Sequence, residues 1–284
     1  MPSRRVLAAV LLSVTLAGSL AFAQQIWVGG GGGGGGYGRG RYPPRWAEQA
    51  DFNGQWIFCR GYYDSVRRLR SGSGWNTDYP GADNNFSVRL AELTKISVKL
   101  DPDRQPHHVV VRLDDPLLYR CGMIFMTDIG TAQFTDAEVV ALRQYFLKGG
   151  FVWVDDTWGS DAWAYWIEQI ERVLPPGEYP IVDIDPSHPL MHMVYDVKAI
   201  PQVPSISHWR RTRGGTSESG DDSAEVYVKG INDAHGNLMV LMTHNTDISY
   251  TWEREGEEPR TYFDLFSPTG YAIGVNVVTY AMTH

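Results

Sequence analysis

An α/β three-layer sandwich around a mostly parallel sheet is the fold this sequence predicts. Two observations carry that expectation. Short, near-continuous apolar runs recur along the chain, as strands buried on both faces require. Segments with apolar residues at helical spacing alternate with those runs, the pattern of crossover helices between parallel strands.

The elements follow in order. Gln55-Trp56-Ile57-Phe58-Cys59 is the first apolar run, ending at Arg60-Gly61-Tyr62-Tyr63. A Ser/Gly/Asn/Asp/Pro loop spans Ser71 to Asp83. Asp83 is then expected to cap a helix running to about Lys95, with Phe86, Leu90 and Leu93 on one face. His108 to Leu113 reads as a second strand, closed by Asp114-Asp115-Pro116, and Met123 to Met126 as a third, ending at Thr127-Asp128. Thr135 with Glu138 three residues on makes a capping box for a helix that stops at Gly149-Gly150. Phe151 to Val154 is a fourth strand, ending at Asp155-Asp156, and a helix from about Ser160 to Val173 is stopped by Pro175-Pro176. Further on, Ile181 to Ile184, Glu225 to Lys229 and Leu238 to Met242 read as strands. Arg210 to Asp222 reads as a polar loop and Ala272 to Met282 as a closing helix.

Ahead of this domain, residues 1–23 have the three parts of a secretory signal peptide. Arg4 and Arg5 are the basic start, Val6 to Leu20 the apolar stretch and Ala21-Phe22-Ala23 the cleavage site. Residues 24–49 form a glycine-rich tether, with eight consecutive glycines from Gly29 to Gly36. Residues 50–284 then make one α/β domain. The expected location is therefore periplasmic or extracellular, with no transmembrane span in the mature chain. In such a compartment Cys59 and Cys121 are either one disulfide or two buried thiols.

Of the 284 residues, 43% are hydrophobic, too many for a disordered chain, and the net charge of −8 argues against nucleic acid as a partner. In open parallel sheets, ligands bind beyond the carboxyl ends of the strands. Here those ends carry Arg60 and Tyr62, Asp114 and Asp115, Thr127 and Asp128, Asp155 and Asp156, then His244, Asn245 and Asp247. Crowded carboxylates raise one another's pKa or recruit a cation. Asp128, Asp155, Asp156 and His244 are therefore a candidate set of divalent-metal ligands, against the alternative that strand-end Asp residues simply cap helices and turns. No H-E-x-x-H, paired C-x-x-C or EF-hand pattern supports the metal. No cofactor is predicted.

Nucleophilic hydrolysis needs a Ser or Cys at the strand-to-helix elbow, and the chain reads Asp155-Asp156-Thr157-Trp158-Gly159 there. Trp75 and Trp158, near loops, suit stacking on a sugar ring, whereas Trp163 and Trp166 are spaced as core. His107 and His108 point to opposite faces of a strand, and His188 reads as structural.

Several motifs together resemble a bacterial family, domain of unknown function 4159. They are Trp75-Asn76-Thr77-Asp78-Tyr79-Pro80, Leu113-Asp114-Asp115-Pro116, Gly149 to Asp156, Gly159-Ser160-Asp161, Asp185-x-x-His188-Pro189-Leu190 and Gly270-Tyr271-x-x-Gly274-Val275-Asn276. The resemblance covers residue 55 or so to the end. It implies a fold similar to the class I glutamine-amidotransferase-like, flavodoxin-like sandwich, in proteins often exported or membrane-anchored. It implies no established activity. The amidotransferase nucleophile is a Cys at the elbow, so no Cys-His-Glu triad carries over.

The expectation is a non-catalytic binding module of the cell envelope. Its ligand, a glycan or an envelope protein, would sit against Tyr62, Trp75, Asp78, Asp128, Asp155, Asp156 and Trp158. The alternative is a metal-dependent hydrolase with Asp155 or Asp156 as general base.

Overall fold

Seven strands form the central sheet of the computed structural model, which describes residues 42–67, 74–257 and 259–284. The expected signal peptide and most of the expected glycine-rich tether lie outside the described residues. The strands are β1 (Phe58–Tyr62), β3 (His108–Arg112), β4 (Met123–Thr127), β6 (Phe151–Thr157), β7 (Ile181–Asp183), β8 (Tyr227–Asn232) and β9 (Leu238–His244). Their order is β3-β1-β4-β6-β9-β8-β7. The first five run parallel, and β8 and β7 complete the sheet in antiparallel pairings. A separate antiparallel ribbon joins β2 (Asp64–Ser65) to β5 (Ala132–Gln133).

Alternation along each strand divides the core into two. Phe58, Phe125, Trp153 and Leu241 face one side, where α1 (Gly81–Leu93), α5 (Tyr250–Glu253) and α6 (Arg260–Thr283) pack through Phe86, Leu90, Trp252 and Tyr271. Val109, Ile124, Val152 and Met242 face the other, covered by α2 (Asp136–Leu147) and α3 (Gly159–Val173) through Leu142, Phe146, Trp166 and Ile170. The three-layer α/β sandwich expected from the apolar runs is therefore present.

Local chemistry sets the element ends. Thr135 Oγ1 accepts from Glu138 N at 3.2 Å while Glu138 Oε2 accepts from Thr135 N at 2.8 Å, the reciprocal box that starts α2. Gly149, at φ +86°, ends it. Two expectations need correction. Asp83 does not cap α1; the cap position is Pro80, and Asp83 lies in the first turn, fully buried. The closing helix begins at Arg260, not Ala272, and runs through Pro268, which forfeits the bond to the Asp264 carbonyl. The polar stretch 210–222 is also structured. The helix α4 (Ile206–Thr212) takes its start, a 3-10 turn (Gly220–Ser223) its end, and Glu218 accepts from Ser205 N at 2.6 Å.

Ordered chain reaches back past residue 50. Val110 N donates to Arg45 O at 2.7 Å and Ala47 N to Val110 O at 2.9 Å, so residues 45–47 pair in parallel with β3. Arg45 is fixed by Asp101, which also faces His107 Nδ1 at 2.6 Å, while His107 Nε2 meets Asp51 at 2.8 Å.

Of the two options for the cysteines, the structure takes the disulfide: Cys59 on β1 bonds Cys121, just before β4. Closing a loop of 62 residues restricts the unfolded chain by about 4 kcal/mol in the chain-entropy account. Urea unfolding with and without reductant, beside a Cys59→Ala/Cys121→Ala variant, is expected to show a loss of that order.

Candidate functional site

The sheet order defines the site. From β1 the chain moves through α1 to β3 on one side, and from β4 through α2 to β6 on the other. Adjacent β1 and β4 therefore form a topological switch point, with a crevice beyond their carboxyl ends.

Arg60 lies on β1 with no exposed surface. Its Nε donates to both oxygens of Asp83 at 3.1 Å, Nη2 also reaches Asp83, and Nη1 donates to the carbonyls of Thr77 at 2.9 Å and Trp75 at 3.3 Å. Burial works against its charge, but Asp83 outweighs burial and the guanidinium pKa is raised. Arg60 thus suspends the 74–80 loop over the crevice. Gly74, at φ +88°, anchors the loop's near end by donating from its N–H to Asp128 Oδ2 at 2.7 Å.

The strand ends are strained in a common way. Six non-glycine residues among the described ones have left-handed φ, and four lie at this edge: Asp78 (62°), Asp128 (50°), Asp156 (55°) and Asn245 (61°). Asp and Asn tolerate that region best, and such outliers gather at functional sites. Asp156 sits where the β6–β9 register shifts between Val154 and Thr157, and a bulge re-aims side chains.

Five carboxyls stand together below the loop. Asp155 Oδ1 accepts from Thr243 Oγ1 at 2.6 Å and Oδ2 from Ser249 N at 2.8 Å. Ser249 Oγ lies 2.9 Å from Asp78 Oδ2 and 3.0 Å from Asp247 Oδ1, a single hydroxyl proton between two acids. Asp78 is within hydrogen-bonding reach of both Asp247 and Glu253. Asp156 Oδ1 accepts from Trp158 Nε1 at 2.8 Å, and its Oδ2 has no hydrogen-bond partner among the described residues. Burial raises all five pKa values, Asp155 to about 7 and Glu253 to about 9; neighbouring acids add to the rise at Asp155, Asp156, Asp247 and Glu253, whereas at Asp78 the bond from Ser249 and the charges of Arg60 and Arg254 oppose it. Arg254, beside Glu253 at 2.8 Å, and Arg60, acting on Asp78, are cations against this group.

The rim is aromatic. Tyr62 and Trp75 are half-buried with ring centres 5.5 Å apart; Trp46 lies 5.1 Å from Tyr62 and Tyr79 5.3 Å from Trp75. The Arg112 guanidinium covers Trp46 at 4.3 Å and Tyr62 at 4.9 Å.

The sequence-predicted residues thus divide. Tyr62 and Trp75 are partly exposed at the rim. Asp78, Asp128, Asp155 and Asp156 are all buried, both oxygens of Asp155 being already engaged. Trp158 is not an open stacking surface; it is buried, with its ring nitrogen turned onto Asp156. Trp163 and Trp166 belong to the core, the second bonded through Nε1 to Met242 Sδ. His188 caps the turn at Leu190 and is structural.

The proposed metal set is not assembled. Among the described residues no three His, Cys, Asp or Glu side chains are grouped to hold a metal ion. His244 is instead packed between Trp163 (4.8 Å) and Tyr227 (6.1 Å), and burial pushes its imidazole down to about 4, so it is neutral at pH 7. Glu253 and Ser249 were not foreseen. Only the spacing of Asp247-x-Ser249 ahead of a short helix hinted at a turn there.

The family described as a domain of unknown function, DUF4159, matches residues 65–282. The chain belongs to that family. No curated protein matches this DUF4159 chain. Among its described residues no helix is long and apolar enough to cross a membrane.

Two outcomes follow from the geometry. Replacing Arg60 by Met strands a buried Asp83 carboxylate, and denaturant unfolding should register a loss of about 3–5 kcal/mol; adding Asp83→Leu should recover part of it. The second concerns pH. An acid raised in the folded state contributes most below its unfolded value near 4, and that contribution is lost as pH rises to the folded value. Stability is expected to fall between pH 4 and about 7 through Asp155 and on to about 9 through Glu253. Each pH unit crossed costs about 1.4 kcal/mol per such group. Asp155→Asn and Glu253→Gln should flatten the melting temperature against pH over those intervals.

Proposed function

We propose that this DUF4159 domain is an exported, non-catalytic binding module of the cell envelope, a degenerate amidotransferase-like fold whose ligand sits at the β1/β4 crevice. The switch point itself carries this reading, because the partly exposed aromatics Tyr62 and Trp75 stand together at it, with Asp78 and Asp128 buried behind them. Aromatic faces with hydrogen-bonding carboxyls suit a neutral sugar chain. Burial raises the Asp78 carboxyl, and a carboxyl in its protonated form can donate to hydroxyls as well as accept from them.

The hydrolase reading has less support. A general base must be ionised and within reach of water. Asp155 has no exposed surface, its carboxyl is raised to about 7 and both of its oxygens are bonded. Asp156 is raised well above the ordinary range by burial and by the neighbouring acids. The elbow position holds Asp156 and Thr157 in place of a Ser or Cys nucleophile.

Calorimetric titration with neutral envelope oligosaccharides tests the proposal. Saturable binding is expected, weakened by at least about tenfold in Trp75→Ala and in Tyr62→Ala, the loss of one stacked ring. Binding that is indifferent to both substitutions would move the ligand off this edge. Turnover of a glycosidic, ester or amide substrate that disappears in Asp155→Asn/Asp156→Asn would restore the hydrolase.

A further inference from the structure

At the opposite end of the sheet, the starts of β6 and β9 frame a cavity of about 190 Å³. Phe146, Phe151, Tyr179 and Tyr280 line it, together with Asp233 from the β8–β9 turn. None of the lining residues described is lysine or arginine; the basic side chains in the wall are His235 and His284, the second stacked on Tyr280 at 4.1 Å. The length of β6 separates this cavity from the carboxyl edge, about 20 Å at the rise of a strand.

Three sources of negative potential converge there. The last turn of α2 contributes Phe146 and Leu147 to the wall, and the last turn of α6 contributes Tyr280 and Ala281. A helix C-terminus carries a partial negative charge, so two of them favour a cation. Asp233 adds a full charge. Burial opposes its ionisation, but the amides of Asn237 and His235, each 2.8 Å from Oδ1, hold its carboxyl below the usual range. Aromatic walls around a negative centre are what an alkylated ammonium needs. Its methyl or methylene groups meet the rings and its charge meets their faces.

We infer that this cavity binds a small organic ammonium ion, with its charge among the two helix C-termini and Asp233 and its carbon substituents against the aromatic rings. Inorganic cations satisfy only the charge, and neutral apolar molecules only the walls.

The test is calorimetric titration of the purified protein with tetramethylammonium and with its neutral counterpart of similar shape, 2,2-dimethylpropanol. Saturable binding of the cation is expected, at least about tenfold tighter than the alcohol, as one desolvated cation–π contact provides. Asp233→Asn keeps an oxygen to accept from His235 and Asn237, and should shrink that preference several-fold. Tyr179→Ala, a second variant at a half-buried ring, should weaken both ligands. Phosphatidylcholine vesicles in parallel separate the two sources of such a group. Co-sedimentation lost in Asp233→Asn assigns a lipid headgroup, and its absence beside tetramethylammonium binding assigns a free ion. Equal affinity for the alcohol, no saturation by the cation, or a preference unchanged in Asp233→Asn would each overturn the inference.

Discussion

The buried ion pair between Arg60 and Asp83 is the constraint on which the rest of this edge depends. A guanidinium buried on an inner strand of a parallel sheet is costly to desolvate, by several kcal/mol for each ion of such a pair. Here the cost is offset because nearly every donor is used, on one carboxylate and two loop carbonyls. The rings of Phe58, Tyr79 and Phe125 surround the cation at 5.4–5.9 Å. One side chain thereby joins β1, the 74–80 loop and the first turn of α1. The loop's height above the crevice follows from those bonds, and so does the placing of Asp78 beside Ser249.

The acids below the loop coexist by sharing protons, with Arg254 and Arg60 as partial counter-charges to Glu253 and Asp78. Asp78, Asp247 and Glu253 are close enough that they cannot all ionise, and burial already favours their neutral forms. Ser249 mediates between them, with its amide on Asp155 and its hydroxyl between Asp78 and Asp247. Such a network is rigid only while every member has a partner. The unpartnered Oδ2 of Asp156 and the left-handed backbone beneath it mark the place where it is incomplete.

Much of the fold was legible because its signals are local. The apolar runs at Met123 and Phe151, the Thr135–Glu138 box and the Gly149 stop each depend on residues a few positions apart, and each is found where it was expected. Asp83 misled because its neighbours look like a helix start, whereas its partner Arg60 is 23 residues away. The start of α6 was hidden by Pro268, which reads as a breaker unless packing carries the helix through it. The site was half legible. Strand ends can be listed from sequence, so Tyr62 and Asp128 could be named. Depth cannot be listed. Trp158 turns inward through a bulge, and Glu253 reaches the cluster by packing of a four-residue helix, neither of which leaves a periodic trace. His244 looked like a ligand because of its company in sequence, but its company in space is two aromatic rings.

The pairing of residues 45–47 with β3 has a consequence for the molecule's behaviour in a crowded compartment. A parallel sheet that ends on a five-residue strand such as β3 offers a row of unsatisfied amides and carbonyls to any extended chain that passes. Here residues 45–47 take the middle of that row, bonding both backbone groups of Val110 and fixed by Arg45 and Asp101. The far side ends on β7, only three residues long. Neither margin presents a long template for another copy, so the sheet is protected against growth by strand addition through its own N-terminal approach.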